Sequence, residues 1–107
     1  MSISERNKID FIGTDNESDE VVLTISDHLD WSNINFHIIT LQNKINAYIG
    51  FIESGQIVEE YPDCKNKIIA IEIISKYDYN SEGKKFLRKA KKILGSIDVD
   101  LRQRTLV

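Results

Sequence analysis

Apolar residues along this chain follow two periods, and the changes between them mark the elements. From Glu20 to Ser26 the β-branched residues Val21, Val22, Thr24 and Ile25 indicate a strand. A first strand, Ile9 to Gly13, precedes it. The polar run Thr14 to Asp19 between the two is rich in turn formers, so the pair predicts a hairpin. From about Ser32 to Ser54 the period lengthens. Ile34, Ile38, Leu41, Ile45, Tyr48, Ile49 and Ile52 recur at steps of three and four, which places them on one face of a helix. Ser32 or Asp30 is the expected N-cap, and Gly55 the expected left-handed residue beyond the end. Phe36, Ile39, Ala47 and Phe51 widen the apolar surface, which predicts burial on more than one side, against a sheet and a second helix or subunit. Gly50 interrupts this helix at a cost of about 1 kcal/mol relative to alanine, and so predicts a close packing approach there.

Gln56 to Glu60 reads as a short edge strand, and Tyr61 to Asn66 as a turn around the sole proline, Pro62. Lys67 to Tyr79 carries Ile68, Ile69, Ile71, Ile73, Ile74 and Tyr77 without strict alternation, the pattern of a central strand covered on both faces. Asn80 or Ser81 caps a second helix that runs to about Leu94. Its apolar face is Phe86, Leu87, Ala90, Ile93 and Leu94, and Gly95 is the expected terminator. Ile97, Val99 and Leu101 then alternate with Asp98, Asp100 and Arg102, a half-buried last strand. The order β-β-α-(β)-β-α-β predicts an α+β fold: a two-layer sandwich of a mainly antiparallel sheet with two helices. Residues 1–107 read as a single domain, with residues 1–7 a loose N-terminus.

Composition narrows the class. A chain of 107 residues, 41% hydrophobic and 29% charged, supports one core and is too short for two. The net charge of −3 hides an asymmetry: residues 1–63 hold 12 acids and 3 bases, whereas residues 64–107 hold 5 acids and 11 bases. Such a chain either pairs its halves within the fold or presents an acidic and a basic surface. Cys64 is the only cysteine, so an internal disulfide is excluded. No apolar run approaches the roughly 20 residues that span a bilayer, and the first ten residues lead into no signal-like apolar segment. A cytoplasmic chain with no membrane partner is expected.

Three groups of residues carry candidate chemistry. Asp27, His28, Asp30, Trp31 and His37 fall at the strand-to-helix junction. Imidazole and carboxylate suit a divalent metal or a general base. The histidines are nine apart, however, rather than at the i, i+4 spacing of helix-borne ligands, so no metal site, catalytic residue or cofactor is assigned. The stronger reading is structural: the aspartates turn and cap the chain, Trp31 staples the helix to the core, and His37 satisfies a buried polar neighbour. Gln42 and Asn46 share a face of the long helix, with Asn43, Lys44 and Tyr48 nearby. An amide stripe of this kind is either a solvated flank or a ligand or partner surface. Lys84, Arg88, Lys91 and Lys92 line the second helix at steps of three and four. A basic stripe can meet nucleic-acid phosphates, but no aromatic residues interleave for base stacking, so a solvated face is the stronger reading. Cys64, with Lys65 beside it, has no motif that supplies a base or an oxyanion hole.

A resemblance attaches to some of the same residues. Val22 to Trp31 ends in Asp30-Trp31 and leads into a helix carrying His37, Leu41, Gln42, Lys44, Asn46 and Tyr48, followed by Ser54-Gly55-Gln56. This resembles a family of small bacterial proteins classed only as a domain of unknown function, with the pattern D-W, H-x-x-x-L-Q-x-K-x-N-x-Y, S-G-Q. The resemblance covers about Lys8 to Leu101 and implies a stand-alone bacterial domain, with no activity or ligand attached.

The leading functional expectation is a protein-interaction domain, with an immunity-like protein that neutralises a toxin as its specific form and a protein partner or self-association implied. A dimer through the long helix or an edge strand fits the surplus of apolar helix surface. One alternative is a small-ligand or metal-binding enzyme or sensor centred on Asp27, His28, Asp30 and His37. The other is nucleic-acid binding through the Lys84 to Lys92 helix, which the acidic composition disfavours. The motifs lean against an enzyme without deciding the question.

Overall fold

The computed structural model describes Ile3, residues 10–15 and residues 17–106. Ile9, placed in the first strand by the pattern above, lies outside them, as do residues 1–7 apart from Ile3. That one residue is fully buried, and its N–H donates to the Ser26 carbonyl at 2.9 Å.

The order is β1 (Phe11–Asp15), β2 (Glu20–Asp27), α1 (Ile34–Glu53), α2 (Gln56–Glu60), a 3₁₀ turn (Pro62–Cys64), β3 (Ile68–Ser75), α3 (Ser81–Gly95) and β4 (Val99–Thr105). The four strands found among the described residues form one sheet in the order β1-β2-β3-β4. Only β1 and β2 are antiparallel; β2 with β3 and β3 with β4 are parallel. The sheet is therefore mixed, not mainly antiparallel as the strand pattern suggested. The reason lies in the connections: a helix of 15 or 20 residues carries the chain back to the end where the previous strand began, so the next strand runs parallel.

Alternation sorts the side chains of the sheet. Val21, Leu23, Ile25 and Asp27 of β2 point to one face with Ile71, Ile73 and Ser75 of β3 and Val99 and Leu101 of β4, and all are buried. Against them pack Leu41, Ile45, Tyr48 and Phe51 of α1 and Ala90 and Leu94 of α3. Each buried Leu or Ile contributes roughly 1.5–3 kcal/mol over its exposed state. The opposite face of the sheet is polar toward β4, where Arg102 bonds Glu20 and Asp100 and Arg104 bonds Glu72.

Several local expectations are corrected. Gln56–Glu60 is a helical turn, not an edge strand. Gly55, at φ 83°, reverses the chain, and the N–H groups of Val58 and Glu59 both bond its carbonyl, which starts the turn at once. The α1 N-cap is Asn33, whose side chain accepts from the Phe36 N–H at 3.1 Å, rather than Ser32 or Asp30. Asp30 instead accepts from the N–H and hydroxyl of Ser32. Gly95 is the last helical residue of α3, and the left-handed residue beyond it is Asp98. Gly50 makes no close approach among the described residues, where a Cβ would meet nothing within 4 Å. The tight glycine is Gly83, where a Cβ would lie 2.6 Å from the Trp31 ring.

Candidate functional site

The inward alternation of β2 ends on a carboxylate. Asp27 follows Ile25 on the core face, so its side chain enters the interior at the end of the strand, beside the first turn of α1. His37 is the first α1 residue to face inward, and both side chains are almost wholly buried. His37 Nε2 lies 2.6 Å from Asp27 Oδ2, and Nδ1 lies 3.0 Å from the Asp30 carbonyl. A carbonyl only accepts, so Nδ1 carries a hydrogen, and the Nε2 contact with a carboxyl oxygen needs a second proton. The Tyr79 hydroxyl donates to the same Oδ2 at 2.5 Å, and the Leu29 N–H donates to Oδ1 at 3.1 Å. Burial, then the nearby Asp27 carboxyl, holds the Tyr79 phenol well above its ordinary pKa, so it remains a proton donor.

Aromatic rings close this site. Trp31 stacks on His37 with centroids 3.8 Å apart and meets Tyr79 edge-on at 4.9 Å. It fits because Gly83, on the first turn of α3, has no side chain. The Trp31 Nε1 is buried without a hydrogen-bond partner among the described residues.

One α1 stripe carries a second polar cluster. Lys44, two turns on from His37, is fully buried and places Nζ 2.9 Å from Asp10 Oδ1. The other Asp10 oxygen accepts from the Ser26 N–H at 2.9 Å. The Tyr48 hydroxyl donates to the Thr24 carbonyl at 2.6 Å and accepts from the Asp10 N–H at 3.0 Å. Burial raises the Tyr48 pKa as well. This cluster ties α1 to the chain leading into β1.

The two clusters contain residue types of acid–base catalysis, but they are bonded internally and roofed by side chains. Asp27, His37 and Trp31 come together; His28 does not join them, being exposed, and Asp30 contributes its carbonyl while its side chain faces solvent. Hydrogen bonds from Ser32 hold the Asp30 carboxyl below its usual range. Gln42 and Asn46 lie apart from that junction, lining a groove of about 270 Å³ between α1 and α3 with Ile45, Ile49, Phe86 and Ile93. Lys84, Arg88, Lys91 and Lys92 are all exposed on α3. Among the described residues no group of three or more His, Cys, Asp or Glu is arranged to hold a metal ion. Cys64 is buried, and burial pushes its thiol pKa up.

Sequence reasoning missed Asp10 and Tyr79, which meet partners 34 and 52 residues away. Lys44 did carry a signal: it sits three residues after Leu41 and four before Tyr48, on the inward stripe.

The chain belongs to a family of unknown function (DUF6572), whose model matches residues 1–106. No curated protein and no solved structure matches it. No helix among the described residues is long and apolar enough to cross a membrane.

Proposed function

We propose that this member of a family without an assigned function works by binding another protein, and that the acidic end of the domain around α2 makes the contact. The observation that carries this reading is the placement of charge. Asp15, Glu17, Asp19, Glu59, Glu60 and Asp63 are all exposed and outnumber the two lysines nearby, the exposed Lys65 and Lys67, whose Nζ lies 3.9 Å from Asp19. They come from the hairpin turn, α2 and the 3₁₀ turn, which meet where β2 and β3 begin, with the Ile68 N–H bonded to the Asp19 carbonyl at 3.3 Å. Backbone N–H groups of Ser18 and Glu17 hold the Asp15 carboxyl below its ordinary pKa, so it stays charged. A cleft of about 370 Å³ lies between β1 and the Glu60 to Cys64 segment, with Tyr61 partly exposed on its wall. An aromatic side chain among carboxylates suits a basic protein surface: charge speeds the encounter and the ring supplies contact area.

An immunity-like role, in which the acidic end covers the basic substrate surface of a bacterial nuclease toxin, is the specific form of this reading. The closed bonding of Asp27, His37 and Tyr79 weighs against the alternative of a metal-assisted enzyme at the strand–helix junction. The test is affinity capture from the source cells with the wild-type chain and with Glu60→Lys/Asp63→Lys. Recovery of a basic protein by the first and its loss with the second supports the reading. Equal recovery by both, or no stoichiometric protein with either, refutes it.

A further inference from the structure

Helix α1 carries an outward stripe that the described residues leave uncovered. Phe36, Ile39, Asn43, Asn46 and Gly50 succeed one another at steps of three and four, and all are exposed. Phe36 and Ile39 each expose 56% of their surface. This spacing is that of the seam in a pair of coiled helices. Between Ile34 and Ile52 the only side chains able to carry charge at neutral pH are His37 and Lys44, and both are buried on the inward side. A solvated helix face normally carries lysine and glutamate. Charge depletion with an aromatic present is the composition of an interface core. Gly50 agrees: glycine is unfavourable in mid-helix, and nothing among the described residues requires its missing side chain.

We propose that this stripe binds a second copy of the chain, the two α1 helices packing antiparallel about a two-fold axis close to Asn43 and Asn46. A two-fold interface sets the same patch against itself, so it must be self-complementary. A stripe with no charge meets its copy without repulsion, and amides both donate and accept, so Asn43 and Asn46 can pair with their equivalents. The axis falls near the middle of the helix, which brings the Phe36–Ile39 half of one copy over the Gly50 half of the other. There the missing side chain leaves room for an apolar one. Antiparallel packing also sets the exposed Glu53 of each copy near the other's α1 N-terminus, which has no acidic residue in its own first turn. Of the α1 residues that line the groove with α3, Asn46 stands on the edge of the stripe, whereas Gln42, Ile45 and Ile49 lie about a quarter turn or more round α1 from its centre. The lysine-rich α3 helices therefore lie on the outside of the pair.

Sedimentation equilibrium of the whole chain over roughly 1–500 μM tests this, a range that resolves dissociation constants typical of small interfaces. The expected result is a concentration-dependent dimer whose Kd rises at least about tenfold in Ile39→Lys and in Asn43→Lys, with unchanged circular dichroism because both sites are exposed. Gly50→Leu separates the interface from the fold: it is expected to raise the thermal midpoint of the dilute chain while weakening the dimer. A wild-type chain that stays monomeric over the whole range overturns the proposal, as does a dimer that Ile39→Lys leaves intact.

Discussion

Replacing Asp27 isolates the bonds that join β2, α1 and the loop before α3. Its two oxygens accept from His37, Tyr79 and the Leu29 N–H, all at 3.1 Å or less. In Asp27→Asn the amide oxygen still serves the Leu29 N–H, and the amide group can donate to a neutral His37 Nε2. The Tyr79 hydroxyl, however, loses its carboxyl acceptor. Two bonds to a charged acceptor, worth about 1.5–3 kcal/mol each, become one neutral bond and one lost bond, for a total loss of about 2–4 kcal/mol. Asp27→Ala leaves all three donors without their acceptor in a closed interior, at about 1–3 kcal/mol each, which approaches the whole stability of a domain this size. Urea unfolding followed by Trp31 fluorescence reads both variants, because the indole stacks on His37. Combining Asp27→Asn with Tyr79→Phe should cost less than the sum of the two, with a coupling of about 0.5–3 kcal/mol. An Asp27→Ala chain within about 1 kcal/mol of wild type would refute the reasoning, since groups left unsatisfied in a closed interior cannot be that cheap.

Three further outcomes follow from the same contacts. Tyr79 has a folded pKa above the ordinary tyrosine value of 10.0, so its contribution is complete below about pH 10 and is lost as pH rises beyond it; alkaline denaturation should be shallower above pH 10 in Tyr79→Phe than in wild type. Gly83→Ala puts a Cβ 2.6 Å from the Trp31 ring, so the indole must move; calorimetry should show a loss of about 1–3 kcal/mol, accompanied by a shift in tryptophan emission. Lys44→Met leaves the Asp10 carboxylate buried without its cation and should cost about 3–5 kcal/mol in chemical denaturation, much of it recovered by adding Asp10→Asn, which still accepts from the Ser26 N–H.

The long helix, α3 and the last strand are legible in the periodicity, because each buries one face against a single core, and the hairpin in its β-branched residues and polar turn, since β1 itself has no fully buried residue. Strand direction is open to reading too, since helix-length connections force parallel neighbours, but the near-continuous apolar run of β3 and the alternation of β4 look the same in either orientation. Gln56 to Glu60 misled because only Ile57 of its residues is buried, so the period is too short to separate a strand from one helical turn. Within the candidate site, the inward position of His37 followed from its step of four before Leu41. Its partner carries a signal as well: Asp27 continues the alternation of Val21, Leu23 and Ile25, which turns it to the core, whereas His28 and Asp30 fall beyond the strand. Tyr79 carried no signal, because its place beside Asp27 depends on the packing of the chain after β3. A glycine inside a helical pattern implies a packing site within the chain, whereas Gly50 is exposed and lies on the outward side of α1.

The most direct measurement is quantitative affinity capture from the source cells, comparing the wild-type chain with Glu60→Lys/Asp63→Lys and with Asp27→Asn. If the acidic end is the working surface, a basic protein is recovered in stoichiometric amount by the wild type and by folded Asp27→Asn, and is lost with the charge-reversed chain. Loss with Asp27→Asn while the charge-reversed chain retains the partner would contradict this, and would move the working site to the strand–helix junction.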